Sequence, residues 1–152
     1  MKSILIAGAS DSGKSTTAQE VCKRLKPNKV YSLNIREEAI KEAEIENIFN
    51  NTFIIEVKGK LILVVAGATT EQGFLITVII EVCMKLKLDI SFALVSMRSF
   101  ERSEGFDTKN QLASISEILL VERINRIDGD YKTSKDWNNR IEKVVELINK
   151  NI

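Results

Sequence analysis

The chain has 152 residues, enough for one domain that buries roughly 70% of its unfolded surface without disulfide or metal staples. Its 22 Lys and Arg against 21 Asp and Glu leave a net charge of +1, which gives no electrostatic case for binding nucleic acid or a membrane surface. There is no histidine, so His-ligated zinc and His general-base chemistry are excluded, and acid or base work falls to Asp, Glu or Lys.

Residues 2–7 form a short apolar run of buried-strand type, entered directly from Met1 with no room for a signal peptide. Next comes Gly8-Ala9-Ser10-Asp11-Ser12-Gly13-Lys14-Ser15, which fits G-x-x-x-x-G-K-[ST], the Walker A pattern of a phosphate-binding loop. A helical pattern follows over residues 13–26, with Ala18, Val21, Cys22 and Leu25 on one face and Pro27 as its stop. Strand, loop and helix in this order are the context the motif requires. The glycines let the backbone turn tightly so that successive N–H groups form an anion nest, and the helix N-terminus adds its dipole. In such a loop Lys14 reaches the β- and γ-phosphates, and the Ser15 hydroxyl is placed for Mg²⁺. Gly8, Ala9, Ser10, Asp11, Ser12, Gly13, Lys14, Ser15 and the following Thr16 are therefore the candidate nucleotide-binding residues, and Ser15 the candidate metal ligand.

On residues 2–25 the chain resembles the small P-loop NTPases, the broad superfamily that includes nucleotide kinases and Ras-like GTPases. Beyond them it resembles that superfamily only in its pattern of elements. The resemblance implies an α/β fold, a three-layer P-loop NTPase-like sandwich, with a mostly parallel central sheet and one antiparallel hairpin strand. It also implies ATP, or GTP, with Mg²⁺ as ligands.

Residues 30–35 read as a second strand, and 36–49 as an amphipathic helix with a solvated acidic face. Two β-rich runs, 52–57 and 61–65, flank Lys58-Gly59-Lys60 and read as a hairpin. The second run, all apolar, is expected as a central strand next to the loop strand. It delivers Ala66-Gly67-Ala68-Thr69-Thr70-Glu71-Gln72-Gly73 to the crevice at the C-terminal ends of the strands. Members of the superfamily usually carry an Asp at this strand end for Mg²⁺; here it is Ala66. Thr69, Thr70, Glu71 and Gln72 are the alternatives for binding metal or orienting an attacking water, and Thr70 and Glu71 also suit the cap of the next helix.

Residues 74–87 are expected as a helix packed on the sheet; the apolar stretch 74–88, broken by Glu81, Lys85 and Lys87, falls short of the ~20 residues a membrane span needs. Cys22 and Cys83 lie inside apolar helical patterns and read as buried reduced thiols. A further strand over 90–95 brings Arg98 and Arg102 to the crevice edge, as cations for transferring phosphate charge or as part of a lid. Residues 108–116 read as a short helix and 118–121 as a core strand, with one continuous helix over 108–127 as the alternative. With a strand there, Asn125-Arg126-Ile127-Asp128 falls where GTPases carry Asn-Lys-x-Asp for guanine. Thr133-x-x-Asp136 has capping-box form ahead of a last helix with Ile141, Val144, Val145 and Ile148 on one face. Trp137 reads as a core or boundary aromatic beneath that helix, with stacking on a base as the alternative.

The expectation is one nucleotide-binding domain over residues 1–152, soluble and cytoplasmic, without a membrane or nucleic-acid partner. Its leading function is a Mg-dependent phosphotransferase (a small kinase) or NTP hydrolase, with ATP ahead of GTP and an unidentified small-molecule acceptor. Lys14, Glu71, Arg98 and Arg102 are the candidate catalytic residues. The alternative is a nucleotide-dependent switch or non-catalytic binding module acting through a protein partner.

Overall fold

Alternation along three neighbouring strands decides the architecture. In the computed structural model, which describes residues 1–127 and 129–152, Ile4 and Ile6 share one core with Ile62, Val64, Phe92 and Leu94. Their neighbours Leu5, Ala7, Leu63, Val65, Ala93 and Val95 share a second core on the other side of the sheet. Both faces of these strands are thus apolar, as a strand covered by helices on each side requires.

The strands are β1 (Lys2–Gly8), β2 (Lys29–Asn34), β3 (Ala39–Glu42), β4 (Thr52–Val57), β5 (Lys60–Val65), β6 (Ile90–Arg98) and β7 (Glu117–Arg123). They form one mixed sheet in the order β3-β2-β4-β5-β6-β1-β7. The pairs β5–β6, β6–β1 and β1–β7 are parallel, and β4–β5, β2–β4 and β2–β3 are antiparallel. Helices α1 (Lys14–Leu25) and α5 (Lys135–Lys150) cover one face, and α3 (Ile76–Lys85) and α4 (Thr108–Ala113) the other; α2 (Thr69–Gln72) is a single turn after β5. The α/β class is as expected, while the sheet has two reversed strands, β4 and β3, where one was anticipated.

α1 buries Ala18, Val21, Cys22 and Leu25, the face its spacing foretells, and ends with Lys26 at φ 52 just before Pro27. α5 buries Trp137, Ile141, Val144 and Ile148 against α1. Trp137 is a core residue at 5% exposure, met edge-on by Tyr131 and covered by the Arg24 guanidinium. The β4–β5 hairpin turns through Lys58 and Gly59, both at positive φ, which is the type I′ geometry that suits the twist of the strands. The separate α4 and β7 replace the alternative of one long helix.

Three expectations are corrected. Residues 36–49 are not a helix: they form the exposed edge strand β3 and a 3₁₀ turn, Ile45–Asn47. A helix there would stack Glu38, Glu42 and Glu46 at i, i+4 spacing, a repulsive arrangement, and Ile40 finds no core to bury in. Pairing with β2, and the Asn34 side chain accepting the Glu37 N–H, stabilise the hairpin instead. The strand after the hairpin does not adjoin β1, because β6, equally apolar, lies between them. The cap of α5 is Ser134, whose hydroxyl accepts the Trp137 N–H, whereas Thr133 sits one residue early in a 3₁₀ turn and donates to Asp130 O.

Among the described residues, no helix is long and apolar enough to cross a membrane.

Candidate functional site

The loop 8–15 leaves the sheet at the point where chain connections diverge. α1 carries the chain from β1 toward β2 at one side, while α4 carries it from β6 across to β7 on the other side of β1. In open α/β sheets ligands bind beside such a point, at the carboxyl ends of the strands. In register, Gly8 stands opposite Arg98, and Ser99 N–H reaches Gly8 O on one flank while Ile124 N–H reaches Ala7 O on the other. The loop is therefore held between the ends of β6 and β7.

Its turn is made by Asp11 at φ 58 and Gly13 at φ 96, the latter a left-handed position that glycine takes without a Cβ penalty. Ser12 folds back over Gly8, so close that a Cβ on Gly8 would lie 2.3 Å from Ser12 Oγ. Thr17 N–H is the first in α1 to close on a carbonyl, that of Gly13, at 2.9 Å. The amides of Gly13, Lys14, Ser15 and Thr16 before it have no intrahelical partner, which is the ordinary condition of a helix start.

These residues line a cleft of about 670 Å³ together with Ser10, Asp11, Asn50, Glu71 and Gln72. Lys14 is buried, and its ammonium donates to Ala9 O at 2.7 Å and Gly8 O at 3.2 Å, leaving one of its three protons for a ligand. Burial lowers its pKa from the usual lysine value; Glu71 and Asp11 oppose that shift and Arg98 adds to it. Ser15 Oγ lies 2.9 Å from Asn50 Oδ1 and 3.0 Å from Ala66 O, and accepts the Asn50 N–H at 3.1 Å. Asn50 takes a left-handed φ of 52, and Gly67 packs against its backbone so tightly that a Cβ there would be 2.2 Å from Asn50 O. Ser15, Asn50 and Ala66 thus meet in a three-way contact at the end of β5.

Of the other expected residues, Glu71 lines the cleft, and Arg98, which lines an adjoining cavity, donates from Nε to Glu71 Oε1 at 3.1 Å. Both side chains are more than a third exposed or close to it, at 42% and 34%, so the pair is worth at most about 1 kcal/mol and yields readily to a ligand. Arg102 lines the same adjoining cavity as Arg98, which also takes in Ala9. Gln72 is held in place at the cleft wall: its amide donates to Gly67 O at 2.6 Å and accepts from Thr52 Oγ1 at 2.8 Å. Thr69 is buried, 2.7 Å from Thr108 Oγ1 and within reach of Glu101, which also accepts the Thr108 N–H at 2.7 Å. These contacts tie residues 99–107 to the end of β5. A third cavity, of about 500 Å³, opens on the other flank of the loop between Gly13, Thr16, Tyr131, Trp137 and Arg140. Asp128, the last residue of the guanine-type tetrad, lies outside the described residues.

Asn50, Tyr131 and Arg140 were not legible as site residues. Only the Asn50-Asn51 pair ahead of a strand, with asparagine's tolerance of left-handed backbone, offered a signal. Among the described residues, no group of three or more Cys, Asp or Glu gathers at metal-binding distance. No protein-family model matches the chain, and neither the curated proteins nor the solved structures searched with it contain a match.

Proposed function

We propose that this protein binds a Mg-nucleoside triphosphate in the cleft at loop 8–15 and transfers or hydrolyses its γ-phosphoryl group. One observation carries the reading: a G-x-x-x-x-G-K-S turn at a strand-to-helix junction borders an open cleft in which Lys14 and the first turn of α1 converge. In this reading the loop amides and Lys14 hold the β- and γ-phosphates, and the nucleoside lies toward Tyr131 and Arg140 on the other flank. Five of the seven strands point the same way, in keeping with a P-loop NTPase-like sandwich.

Ser15 Oγ and Asn50 Oδ1 are hard, neutral oxygen donors, suited to a Mg²⁺ that keeps most of its coordination in water and phosphate oxygens. Bound there, the ion would neutralise charge on the β- and γ-oxygens. The chain's own contribution is placement: Lys14 supplies a fixed cation, and Arg98 a second one in the adjoining cavity, paired with Glu71 of the cleft wall.

A switch or binding module is the second reading, and two observations favour it. The end of β5 carries Ala66 and Gly67 instead of a carboxylate, and in the turn that follows Gln72 is held by Gly67 and Thr52 while Glu71 is paired with Arg98. Incubation with Mg·ATP and Mg·GTP, alone and with panels of small acceptors, separates the readings. Transfer or steady phosphate release supports the enzyme, slow release with nucleotide-dependent amide protection at residues 66–73 supports the switch, and binding of neither nucleotide refutes both.

A further inference from the structure

A cavity of about 710 Å³ lies between the last turn of α1, the start of β2 and residues 42–47, and it shares no lining residue with the cleft at loop 8–15. Lys23, Lys26 and Lys29 bring three exposed ammonium groups to it, none with a hydrogen-bond or ion-pair partner among the described residues. Glu42 and Glu44 line it from the side of the β2–β3 hairpin, and no ion pair among the described residues joins them to those lysines. The two signs stay apart over a floor of half-buried Val30 and Ile45, both packed on the core. A ligand that satisfies all three surfaces has an anionic head, an apolar middle and a hydroxyl or amine at its other end.

The segment that closes this cavity also builds the cleft. Glu44, Ile45 and Asn47 line the cavity, and Phe49, Asn50 and Asn51, a few residues on, line the cleft. Between them Gln19 of α1 donates to Glu46 O at 3.0 Å and to Ile48 O at 3.1 Å, and Ile48 is fully buried. Asn50 then holds Ser15. α1 joins the same two sites, with Lys14 and Ser15 at the cleft and Lys23 at the cavity, roughly 14 Å along one helix. A ligand that draws residues 44–47 toward the lysines therefore moves the segment that carries Asn50. We propose that this cavity is an effector site: it binds a small molecule with an anionic head and a hydroxyl- or amine-bearing tail, and its occupancy changes the affinity of the cleft for a Mg-nucleoside triphosphate. The coupling rests on the triphosphate-binding reading above, whereas binding at the cavity does not. Linkage makes the effect reciprocal, so bound triphosphate changes the effector's affinity by the same factor.

The test uses the full chain, isotope-labelled for amide spectra, with three probes. Phosphotyramine and glucose phosphate carry an anionic head with an amine or a hydroxyl tail, and inorganic phosphate is the head alone. In the Lys14→Ala protein, where the cleft has lost its phosphate contact, at least one tailed probe should saturably shift the amides of Lys26, Lys29 and Ile45. That probe should bind at least about fivefold more tightly than inorganic phosphate. In the parent it should change Mg·ATP or Mg·GTP affinity, read by titration calorimetry, by about fivefold or more. Lys23→Gln combined with Lys26→Gln should abolish both effects and leave triphosphate affinity without probe within about twofold. Gln19→Ala should keep probe binding at the cavity and reduce the coupling to below about twofold. No saturable shift at the cavity from either tailed probe, or no preference for them over inorganic phosphate, overturns the site. Probe binding that leaves triphosphate affinity unchanged overturns the effector role and leaves the nucleotide reading intact. Undiminished coupling in Gln19→Ala overturns the route through residues 46–48. Binding of neither triphosphate to the parent removes the nucleotide reading and the effector role together, whatever the probes do at the cavity.

Discussion

Gly67→Ala probes the contact that holds Asn50 against Ser15 at the end of β5. A Cβ at position 67 would lie 2.2 Å from Asn50 O, 2.6 Å from Asn50 C and 2.9 Å from Asn50 Cα, all backbone atoms. Ordinary contact begins near 3.4 Å, so the segment at Asn50 must retreat by roughly 1 Å. Overpacking of this kind costs about 1–3 kcal/mol. For a domain of this size each kcal/mol lowers Tm by roughly 2–4 °C, so a fall of about 2–12 °C is expected without nucleotide. The displaced Asn50 also carries both of its hydrogen bonds to Ser15, so the Mg-dependent part of triphosphate affinity should fall by about tenfold. Thermal unfolding by circular dichroism, with and without Mg·ATP, reads both effects. Gly73→Ala, where nothing lies within 4 Å and only the left-handed backbone at φ 81 is strained, should cost about 1 kcal/mol and leave Mg dependence unchanged. If Gly67→Ala unfolds within 1 °C of the parent and keeps its Mg dependence, the packing of Gly67 on Asn50 is not what holds Ser15 in place.

Glu101→Ala strips the acceptor from Thr108 N–H and from the neighbouring hydroxyls at the start of α4, and should destabilise by about 1–3 kcal/mol in urea unfolding; a loss below 0.5 kcal/mol would mean the contact is not maintained in solution. Burial pushes the Cys22 thiol up to about 12 and the Cys83 thiol up to about 11, so both should resist a thiol reagent at pH 8 until the protein unfolds; rapid labelling of Cys22 in the native protein would contradict its place under α5. Lys14 yields a pH dependence. Its pKa is lowered in the free protein, chiefly by burial, so between that lowered value and the usual lysine value the unfolded chain binds more protons, and this residue's share of stability rises as pH rises. A bound triphosphate favours the charged ammonium, so binding should take up protons and weaken as pH climbs through the same window. Calorimetry in buffers of different ionisation enthalpy measures this uptake; proton release, or affinity that strengthens with pH, would contradict Lys14 as a phosphate contact.

What the sequence made legible, and what it did not, follows physical lines. β1, loop 8–15 and α1 were readable because one short segment holds every determinant: an apolar run, turn glycines, a helical face and a stop at Pro27. The β4–β5 hairpin was readable from Lys58-Gly59 for the same reason. Residues 36–49 misled because helix period and acidic composition are local properties, whereas the pairing of β3 with β2 is a tertiary one. The insertion of β6 between β5 and β1 lies outside what periodicity can show, since β5 and β6 are equally apolar. Asn50 joined the site for a similar reason: it sits 35 residues from Ser15 in the chain and meets it only through the packing of Gly67.

The central claim, that loop 8–15 binds a polyphosphate through Lys14 and the start of α1, is tested most directly by isothermal titration of Mg·ATP and Mg·GTP into the parent and Lys14→Ala proteins. The account predicts saturable one-to-one binding of at least one nucleotide to the parent and affinity at least tenfold weaker for the variant, a loss of about 1.4 kcal/mol or more. A parent that binds neither nucleotide, or a variant that binds as tightly as the parent, would contradict it.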